Sequence, residues 1–437
     1  MTQSASPHTA AAPAAPSRRR WFVFGVVVAL NFGVWLDEAK FSQLAPFWAD
    51  SLHLTTGQIS SVLSAYLLGY APMLAIAGVL ADRFGSKIML VICGFGVTVL
   101  SVSMVFVHTY GEMWWRNLTF GFVFGLLLAP TFRLLATWFP AQERTKVTSL
   151  NTGACASISS ILTPLIALPI ANHASWQLAF ILVAVFTLPP LVLLFWITDQ
   201  PRRMRGINAA ELALIEGTAK ATVSQAMTVG FRDILGLLRN RSVILFGLSG
   251  LLISPVWLSL NWLSYGLIDL DEIDPDVVAV VLPAITVIPL IFAFINGPLL
   301  VRVFAGRARL LIAAAFLLGG VAFLVAALVP MGWLPWALML GGGVMVANLI
   351  YFGTMNAYWA ELAGPRFTGA LAGITTCLQV AAGTVLVNKS GSWFDQAAAG
   401  HDQLMPVMVA GGVIMLVALV PVLLSKEVRV QGQVRPS

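Results

Sequence analysis

Three charged residues, Asp37, Glu38 and Lys40, interrupt an otherwise apolar run that begins at Trp21. If this run is a helix, Asp37 and Lys40 lie three positions apart on one face and can neutralise each other. Glu38 points about 100° away from Asp37, so it needs another cation or a proton. A carboxyl group buried without a cation is suited to taking up and releasing a proton. We therefore predict that Asp37 or Glu38 carries a proton, with an inert ion-pair network as the alternative.

Two arginines, Arg116 and Arg133, lie in another apolar run, at 112–139. They are 17 residues apart, which is about 25 Å along a helix, so they cannot serve one site. A guanidinium group can hold a carboxylate through two hydrogen bonds. Both arginines, and Lys40, are therefore candidate contacts for a carboxylate ligand, with structural ion pairing as the alternative.

Polar and aromatic side chains also occur within the apolar runs of the second half of the chain. Polar groups in such surroundings are costly unless they face a cavity or hydrogen-bond to a neighbouring helix, and both possibilities remain open here. A mainly apolar pocket with a few polar groups is what a small ligand needs. The candidates for binding are Asn261, Trp262, Tyr265, Asn348, Tyr351, Asn356 and Gln379.

The elements that position these residues are apolar blocks long enough to cross a bilayer. Of the 437 residues, 58% are hydrophobic and only 10% are charged, whereas soluble domains average about 25% charged. This composition excludes a soluble globular fold and predicts an all-α membrane protein with about twelve transmembrane helices. The predicted helices span 21–49, 57–81, 88–108, 112–139, 146–171, 176–197, 242–268, 276–304, 308–330, 333–362, 366–390 and 403–425.

The distribution of basic residues predicts the orientation. With the N-terminus in the cytoplasm, 21 of the 25 Lys and Arg residues lie in cytoplasmic connections or tails. By the positive-inside rule, we expect both termini in the cytoplasm. We also expect the protein to lie in a bacterial-type inner membrane. The predicted parts are a disordered arm at 1–20, a six-helix half at 21–197, a linker at 198–241, a second six-helix half at 242–425 and a tail at 426–437.

The linker and an internal sequence repeat support a division into two similar halves. Asn208 followed by Glu211 resembles a capping arrangement that opens a short amphipathic helix reaching about Ala219. The segment 297–302 is similar in sequence to 78–83 and occupies the corresponding place in the other half. Two six-helix halves that enclose a site at the midplane are typical of a rocking transporter.

The segment from Gly78 to Lys87, with the sequence GVLADRFGSK, resembles the loop signature of the major facilitator superfamily. The resemblance implies the major facilitator fold, with two pseudo-symmetric halves. It also implies a conformational latch on the cytoplasmic face, in which Asp82 caps a nearby helix or pairs with Arg144, with a charge cluster that only sets the membrane topology as the alternative. The predicted latch residues are Gly78, Asp82, Arg83, Gly85, Lys87 and Arg144.

Further segments resemble the anion:cation symporter branch of that superfamily, which includes sugar-acid, phthalate and related carriers. Residues 138–144 read WFPAQER, and Asp199-Gln200-Pro201 follows the sixth helix. The branch pattern makes Arg116 the expected partner of Asp37. The chain departs from the branch at Glu38, where an arginine is usual, and near Val123, where the branch usually has a glutamate.

The resemblance implies a secondary active transporter, with proton-coupled uptake of a small organic anion as the leading hypothesis. A proton-driven exporter and a transporter-like sensor without net flux are the alternatives, and sodium is the alternative coupling ion. The sequence shows no phosphate-cradling loop, nucleophile elbow or metal-ligand spacing, so we expect no enzyme activity and no cofactor. The basic residues are scattered, which argues against nucleic acid as a partner. The expected partners are the organic anion, protons and the lipid bilayer, and the oligomeric state, which includes a monomer, is left open.

Overall fold

The computed structural model describes residues 16–140, 143–144, 147–148, 150–151, 155–215, 236, 239–330, 333–344, 352–363, 368–396 and 405–427. Its main helices, in chain order, are α1 (Arg19–Gln43), α2 (Ala45–Ser51), α3 (Thr56–Phe84), α4 (Ser86–Ser103), α5 (Tyr110–Phe124), α6 (Leu128–Trp138), α7 (Cys155–His173), α8 (Trp176–Val185), α9 (Leu188–Leu193), α10 (Arg241–Leu251), α11 (Val256–Tyr265), α12 (Pro275–Pro298), α13 (Ala308–Ala326), α14 (Trp333–Val344), α15 (Phe352–Ala363), α16 (Thr368–Gln396) and α17 (Met405–Leu424).

Each of the twelve apolar runs is mainly helical where the structure describes it, with turns at some ends and internal breaks. Within the described ranges, seven helical segments are by themselves long and apolar enough to cross a membrane. The remaining runs are interrupted or bent. The predicted fold class, an all-α membrane protein that crosses the bilayer several times, is confirmed.

Several of the predicted helices are broken into two. The run 112–139 is divided between α5 and α6, and the run 242–268 between α10 and α11. Proline has no backbone N–H, so Pro130 and Pro255 each remove a hydrogen bond at the break. At both breaks the preceding residues form tighter turns, such as Leu127 N–H to Phe124 O at 2.9 Å. The prediction of an unbroken helix was therefore wrong for 242–268, whereas Tyr110–Trp138, despite its local break, still forms one segment long and apolar enough to cross a membrane.

The two halves meet along α3 with α16 and along α7 with α12, while α1 packs against α11. We call the two ends of the bundle the Asp82 end and the His173 end. Four side-chain contacts join the halves towards the His173 end: Ser60 Oγ to Asn388 O (3.2 Å), Asn388 Nδ2 to Ser64 Oγ (3.2 Å), Thr56 Oγ1 to Gly391 O (3.5 Å) and His173 Nε2 with Asp276 Oδ2 (2.8 Å). These contacts hold the halves together at this end.

Glycines allow α3 and α5 to approach closely at mid-membrane. A Cβ added at Gly121 would lie 2.1 Å from the carbonyl oxygen of Tyr66, and one at Gly69 would lie 2.2 Å from that of Leu118. Such distances are too short for any side chain, so these positions require glycine. The close approach brings Tyr66 of α3 and Asn117 of α5 to the same cavity, described below.

The linker contacts the first turn of α1. As predicted, Asn208 caps the linker helix, because its Oδ1 accepts a hydrogen bond from Glu211 N–H at 2.9 Å. The helix is described over 209–215, and the rest of its predicted length lies outside the described residues. The fully buried Glu211 carboxylate accepts hydrogen bonds from Arg19 N–H (3.0 Å), Arg20 N–H (3.1 Å) and the Ser17 hydroxyl. A negative charge at a helix N-terminus is favourable, so the linker stabilises the start of α1.

Replacing Glu211 with alanine is expected to destabilise the protein by about 1–3 kcal/mol, because two backbone N–H groups of α1 lose their acceptor in a buried place. The thermal unfolding midpoint in detergent should fall measurably. Glu361→Ala is the matched control, because that glutamate is exposed on α15. Equal midpoints for the Glu211→Ala and Glu361→Ala variants would show that the linker contact does not stabilise α1.

Candidate functional site

A small polar cavity lies between the two halves. Its volume is about 20 Å³, enough for about one water molecule. Helices α1, α3 and α5 of the first half and α11 of the second half form its walls. The lining residues are Glu38, Phe41, Ser42, Leu63, Tyr66, Asn117 and Asn261.

Glu38 is the only carboxylate among the residues that line this cavity. Its carboxyl group is hydrogen-bonded to the hydroxyl of Tyr66, and Tyr66 stacks on Tyr70 with ring centroids 5.6 Å apart. No Lys or Arg in the described part of the chain forms an ion pair with Glu38. When ionised, Glu38 therefore has a hydroxyl partner but no compensating positive charge, so this position favours a group that alternates between charged and neutral.

Two asparagines complete the polar surface of the cavity. Asn117 Nδ2 donates to Val62 O at 2.7 Å, while its buried Oδ1 has no hydrogen-bond partner among the described residues. Asn261 Nδ2 donates to Trp257 O at 2.7 Å. A buried acceptor without a donor costs about 1–3 kcal/mol. The Asn117 carbonyl oxygen is thus ready to accept a hydrogen bond from a protonated carboxyl group or from a ligand hydroxyl.

Asp37 and Lys40 form a completely buried ion pair beside this cavity. The Ser101 hydroxyl lies 2.9 Å from each oxygen of Asp37, and Lys40 Nζ donates to Phe180 O at 3.1 Å. The ammonium group also lies 4.7 Å from the centroid of the Phe180 ring. The neutralisation predicted from the three-residue spacing is therefore present. The pair joins α1 to α4 and α8, and neither residue lines the cavity.

The two arginines of the fourth predicted span do not line the cavity either. Arg116 lies 3.7 Å from Glu112, one helical turn earlier, and the expected pairing of Arg116 with Asp37 was wrong. The reason is geometric: Lys40, on the same face of α1 as Asp37, already occupies the position of the cation. Arg133 Nε contacts Asp82 Oδ1 at 2.9 Å, and Arg133 also donates to Ala81 O.

Of the second-half candidates that the structure describes, Asn261 alone lines the cavity. Trp262 is buried, and its indole N–H donates to Ser390 Oγ at 2.7 Å. The Tyr265 ring packs edge-on against Trp262, with centroids 5.4 Å apart. Gln379 is buried on α16. Asn348, Tyr351 and the side chain of Asn356 lie outside the described residues.

At the Asp82 end, the partners of the predicted latch residues differ from those expected. Asp82 pairs with Arg133, and Arg144 Nε instead donates to Phe139 O at 2.9 Å, so the predicted Asp82 to Arg144 pair was wrong. Arg133, rather than Arg144, pairs with Asp82 because Asp82 and Arg133 both lie where α3 and α6 pack together. The Arg83 guanidinium lies over the Phe84 ring at 5.4 Å, and a side chain at Gly78 would meet open space.

The carboxylate that caps α4 is Asp199, not Asp82. Asp199 Oδ1 accepts a hydrogen bond from Lys87 N–H at 2.8 Å, and Lys87 Nζ donates to Phe195 O at 3.2 Å. Gly85 has a φ of 95°, and a Cβ there would lie 2.7 Å from Asp199 Oδ2. Only glycine fits that conformation and that contact. The signature loop is therefore fixed to the end of the sixth predicted span.

Sequence reasoning missed Tyr66, Asn117 and Ser101. The signal for Asn117 was its place between Met113 and Gly121, at four-residue spacing on the buried face of α5. The sequence-based prediction chose the adjacent Arg116 instead, because a guanidinium group can hold a carboxylate. The contact of Ser101 with Asp37 depends on how α4 packs against α1, which spacing along the chain does not reveal.

The fold and this site define a membrane protein in which two helical halves enclose a polar cavity. The chain belongs to the Major Facilitator Superfamily, whose profile it matches over residues 22–387. Its fold is similar to the crystal structure of a D-xylose-proton symporter, with a TM-score of 0.72, 15% identity and coverage of 93% of this chain and 97% of that one. That likeness concerns the fold alone.

The chain is also similar to curated transporters of organic anions. It is 28% identical over 196 residues to a probable sulfoacetate transporter of Cupriavidus necator, covering 45% of each protein. It is 25% identical over 244 residues to a galacturonate transporter of Dickeya chrysanthemi, covering 55% of this chain and 70% of that protein. The chain thus spans about half the length of the first of these relatives (45%). The predicted resemblance to the organic-anion carriers of the superfamily is confirmed.

Proposed function

We propose that the protein is a secondary active transporter that takes up a small, hydroxyl-bearing organic anion together with a proton, by alternating access. The observation that carries this proposal is Glu38, a carboxylate that forms no ion pair with any described Lys or Arg, in a cavity between the two halves. We assign the coupling proton to Glu38 rather than to Asp37, because Asp37 already has Lys40 and Ser101 as partners.

The chemistry of the cavity gives a reason for coupling. An anion beside ionised Glu38 would meet a like charge, and at about 4 Å such repulsion is several kcal/mol at an intermediate effective dielectric constant. Protonation of Glu38 removes this repulsion. The proton and the anionic substrate therefore bind together, which is the requirement for symport.

The hydrogen-bonding groups of the cavity favour a substrate with hydroxyl groups. Asn117 Oδ1 is a buried acceptor that receives no hydrogen bond from the described part of the chain, and Asn261 lies across the cavity from it on the other half. Once the halves have separated and this cavity of about 20 Å³ has widened, a sugar acid or a related hydroxylated acid would supply donors to both halves at once. The relatives' names, sulfoacetate transporter and galacturonate transporter, also support a small organic acid.

Alternating access requires the halves to separate at the His173 end. There, α3 and α16 are joined through Asn388, which contacts Ser60 and Ser64. These are neutral hydrogen bonds, worth about 0.5–1.5 kcal/mol each, so they can be exchanged for water during a transport cycle. We place the Asp82 end, with both termini, in the cytoplasm of a bacterial cell, in accord with the distribution of basic residues.

The test is uptake of labelled organic acids into proteoliposomes under an imposed pH gradient, with and without an uncoupler. The panel should include hydroxylated acids and matched acids without hydroxyl groups. Gradient-dependent accumulation of a hydroxylated acid, abolished by the uncoupler, supports the proposal. Accumulation driven by sodium alone, or export of amphiphilic dyes with no acid accumulated, would refute it.

Replacing Asp82 with asparagine is expected to slow turnover by up to about fivefold at saturating substrate while leaving the half-saturation concentration unchanged. The Asp82 to Arg133 pair is worth about 0.2–1 kcal/mol at an exposed site, and it lies far from Glu38, so its loss should alter conformational exchange rather than binding. Uptake rates measured over a range of substrate concentrations separate the two effects. Unchanged turnover at normal expression would contradict a conformational role.

A further inference from the structure

A second and larger cavity opens at the His173 end and shares no lining residue with the cavity that contains Glu38. Its volume is about 280 Å³, and it is formed by α3 and α5 of the first half and α16 of the second. The residues used in the argument that follows are Ser61, Leu68, Trp114, Val385, Asn388 and Lys389. None of them lines the cavity that contains Glu38.

This cavity is polar at its rim and apolar towards the membrane centre. Ser61 lies near the start of α3, and Asn388 and Lys389 lie near the end of α16, so these three mark the rim. Leu68 is seven residues further along α3, about 10 Å deeper at 1.5 Å per residue. Val385 is likewise one turn deeper than Lys389. The cavity therefore matches an amphiphile that lies along the membrane normal.

The charge and the surroundings of the cavity indicate the chemical class of the amphiphile that fits it. Lys389 is exposed at the rim and forms no ion pair with any described residue. Trp114 lines the cavity near the start of α5, and tryptophan is enriched at the interface between bilayer and water. Leu68 and Val385 are 50% and 63% exposed on the bundle surface, so the cavity opens towards lipid. A lysine beside an apolar cleft open to the bilayer attracts an anionic headgroup.

We propose that this cavity binds an anionic phospholipid of the leaflet at the His173 end, with its headgroup on Lys389 and an acyl chain along Leu68 and Val385. The lipid touches α3 and α16 where Asn388 joins the two halves. Because those helices must separate there for the transporter to open, the cavity exists in this form only while that end is closed. A ligand stabilises the state that it binds, so the lipid favours the closed His173 end.

The experiment measures lipid retention by native mass spectrometry and the thermal unfolding midpoint in detergent, with phosphatidylglycerol, phosphatidylcholine of the same acyl chains, or laurate. We expect phosphatidylglycerol to be retained and to raise the midpoint more than phosphatidylcholine does. Lys389→Gln should weaken its binding about fivefold, since one lysine beside an anionic headgroup is worth about 1 kcal/mol. Leu68→Trp, which fills the apolar part of the cavity, should abolish retention.

Arg307→Gln is the matched control, because it removes an exposed cation at the other end of the bundle. Equal phosphatidylglycerol binding by the wild type and by both cavity variants would overturn the proposal. So would equal losses in Lys389→Gln and Arg307→Gln, or laurate binding as tightly as phosphatidylglycerol. None of these readouts depends on the transported substrate, so the result is separate from the test of transport.

Discussion

Replacing Glu38 with glutamine is expected to abolish accumulation driven by the pH gradient while exchange of substrate across the membrane continues. Glutamine has the size and neutral charge of protonated glutamic acid and can keep the contact with Tyr66. One proton moved across one pH unit supplies about 1.4 kcal/mol, so a one-proton symporter accumulates a monoanion about tenfold per unit. For the variant, the ratio of internal to external substrate concentration should be about one. Counterflow of labelled substrate, compared with net uptake, measures the two behaviours separately.

The matched control for this experiment is Glu112→Gln. Glu112 is also a glutamate of the first half, but it lies at the start of α5 and pairs with Arg116 at a partly exposed position. This variant should accumulate substrate like the wild type. If Glu38→Gln still accumulates substrate against its gradient, the coupling proton is not on Glu38. If it loses counterflow as well, Glu38 is a binding residue rather than only a proton carrier.

The local features of this protein could be predicted from sequence because they depend on spacing along one helix. The Asp37 to Lys40 pair follows from a three-residue separation. The helical runs follow from the lengths of the apolar blocks, and Pro130 carried the signal for one of the breaks within them. Each of these inferences uses contacts within a single segment.

The features that were wrong or missed depend on which helices become neighbours. Spacing places Asp82 at the end of α3, but only packing shows that Arg133 of α6, rather than Arg144, faces it. In the same way, Glu211 was recognised in its own capping sequence, whereas its role in capping α1 joins residues more than 190 positions apart. The resemblance to the anion:cation symporter branch gave the wrong partner for Arg116. The branch pattern implies that a cation from another helix pairs with Asp37, whereas Lys40 of the same helix does so.

The second large effect is expected at the buried ion pair. Asp37→Asn or Lys40→Met alone should destabilise the protein by about 3–5 kcal/mol, because each leaves an uncompensated buried charge. The double variant should recover most of that loss, since methionine approximates the shape of lysine and asparagine can still accept from Ser101. Thermal unfolding midpoints in detergent for the wild type, both single variants and the double variant give the coupling between the two sites.

The pair formed by Glu112 and Arg116 is the control cycle, because its side chains are 44% and 24% exposed and its residues lie four positions apart. An exposed pair of this kind is worth about 0.3–0.5 kcal/mol, so its variants should differ little. If the Asp37 and Lys40 effects simply add, the two residues do not act as a pair. Transport by the double variant then distinguishes the two carboxylates of α1: if it still accumulates substrate with the pH gradient, Asp37 is not needed for coupling. Glu38 is then the carboxylate of α1 that remains to carry the proton.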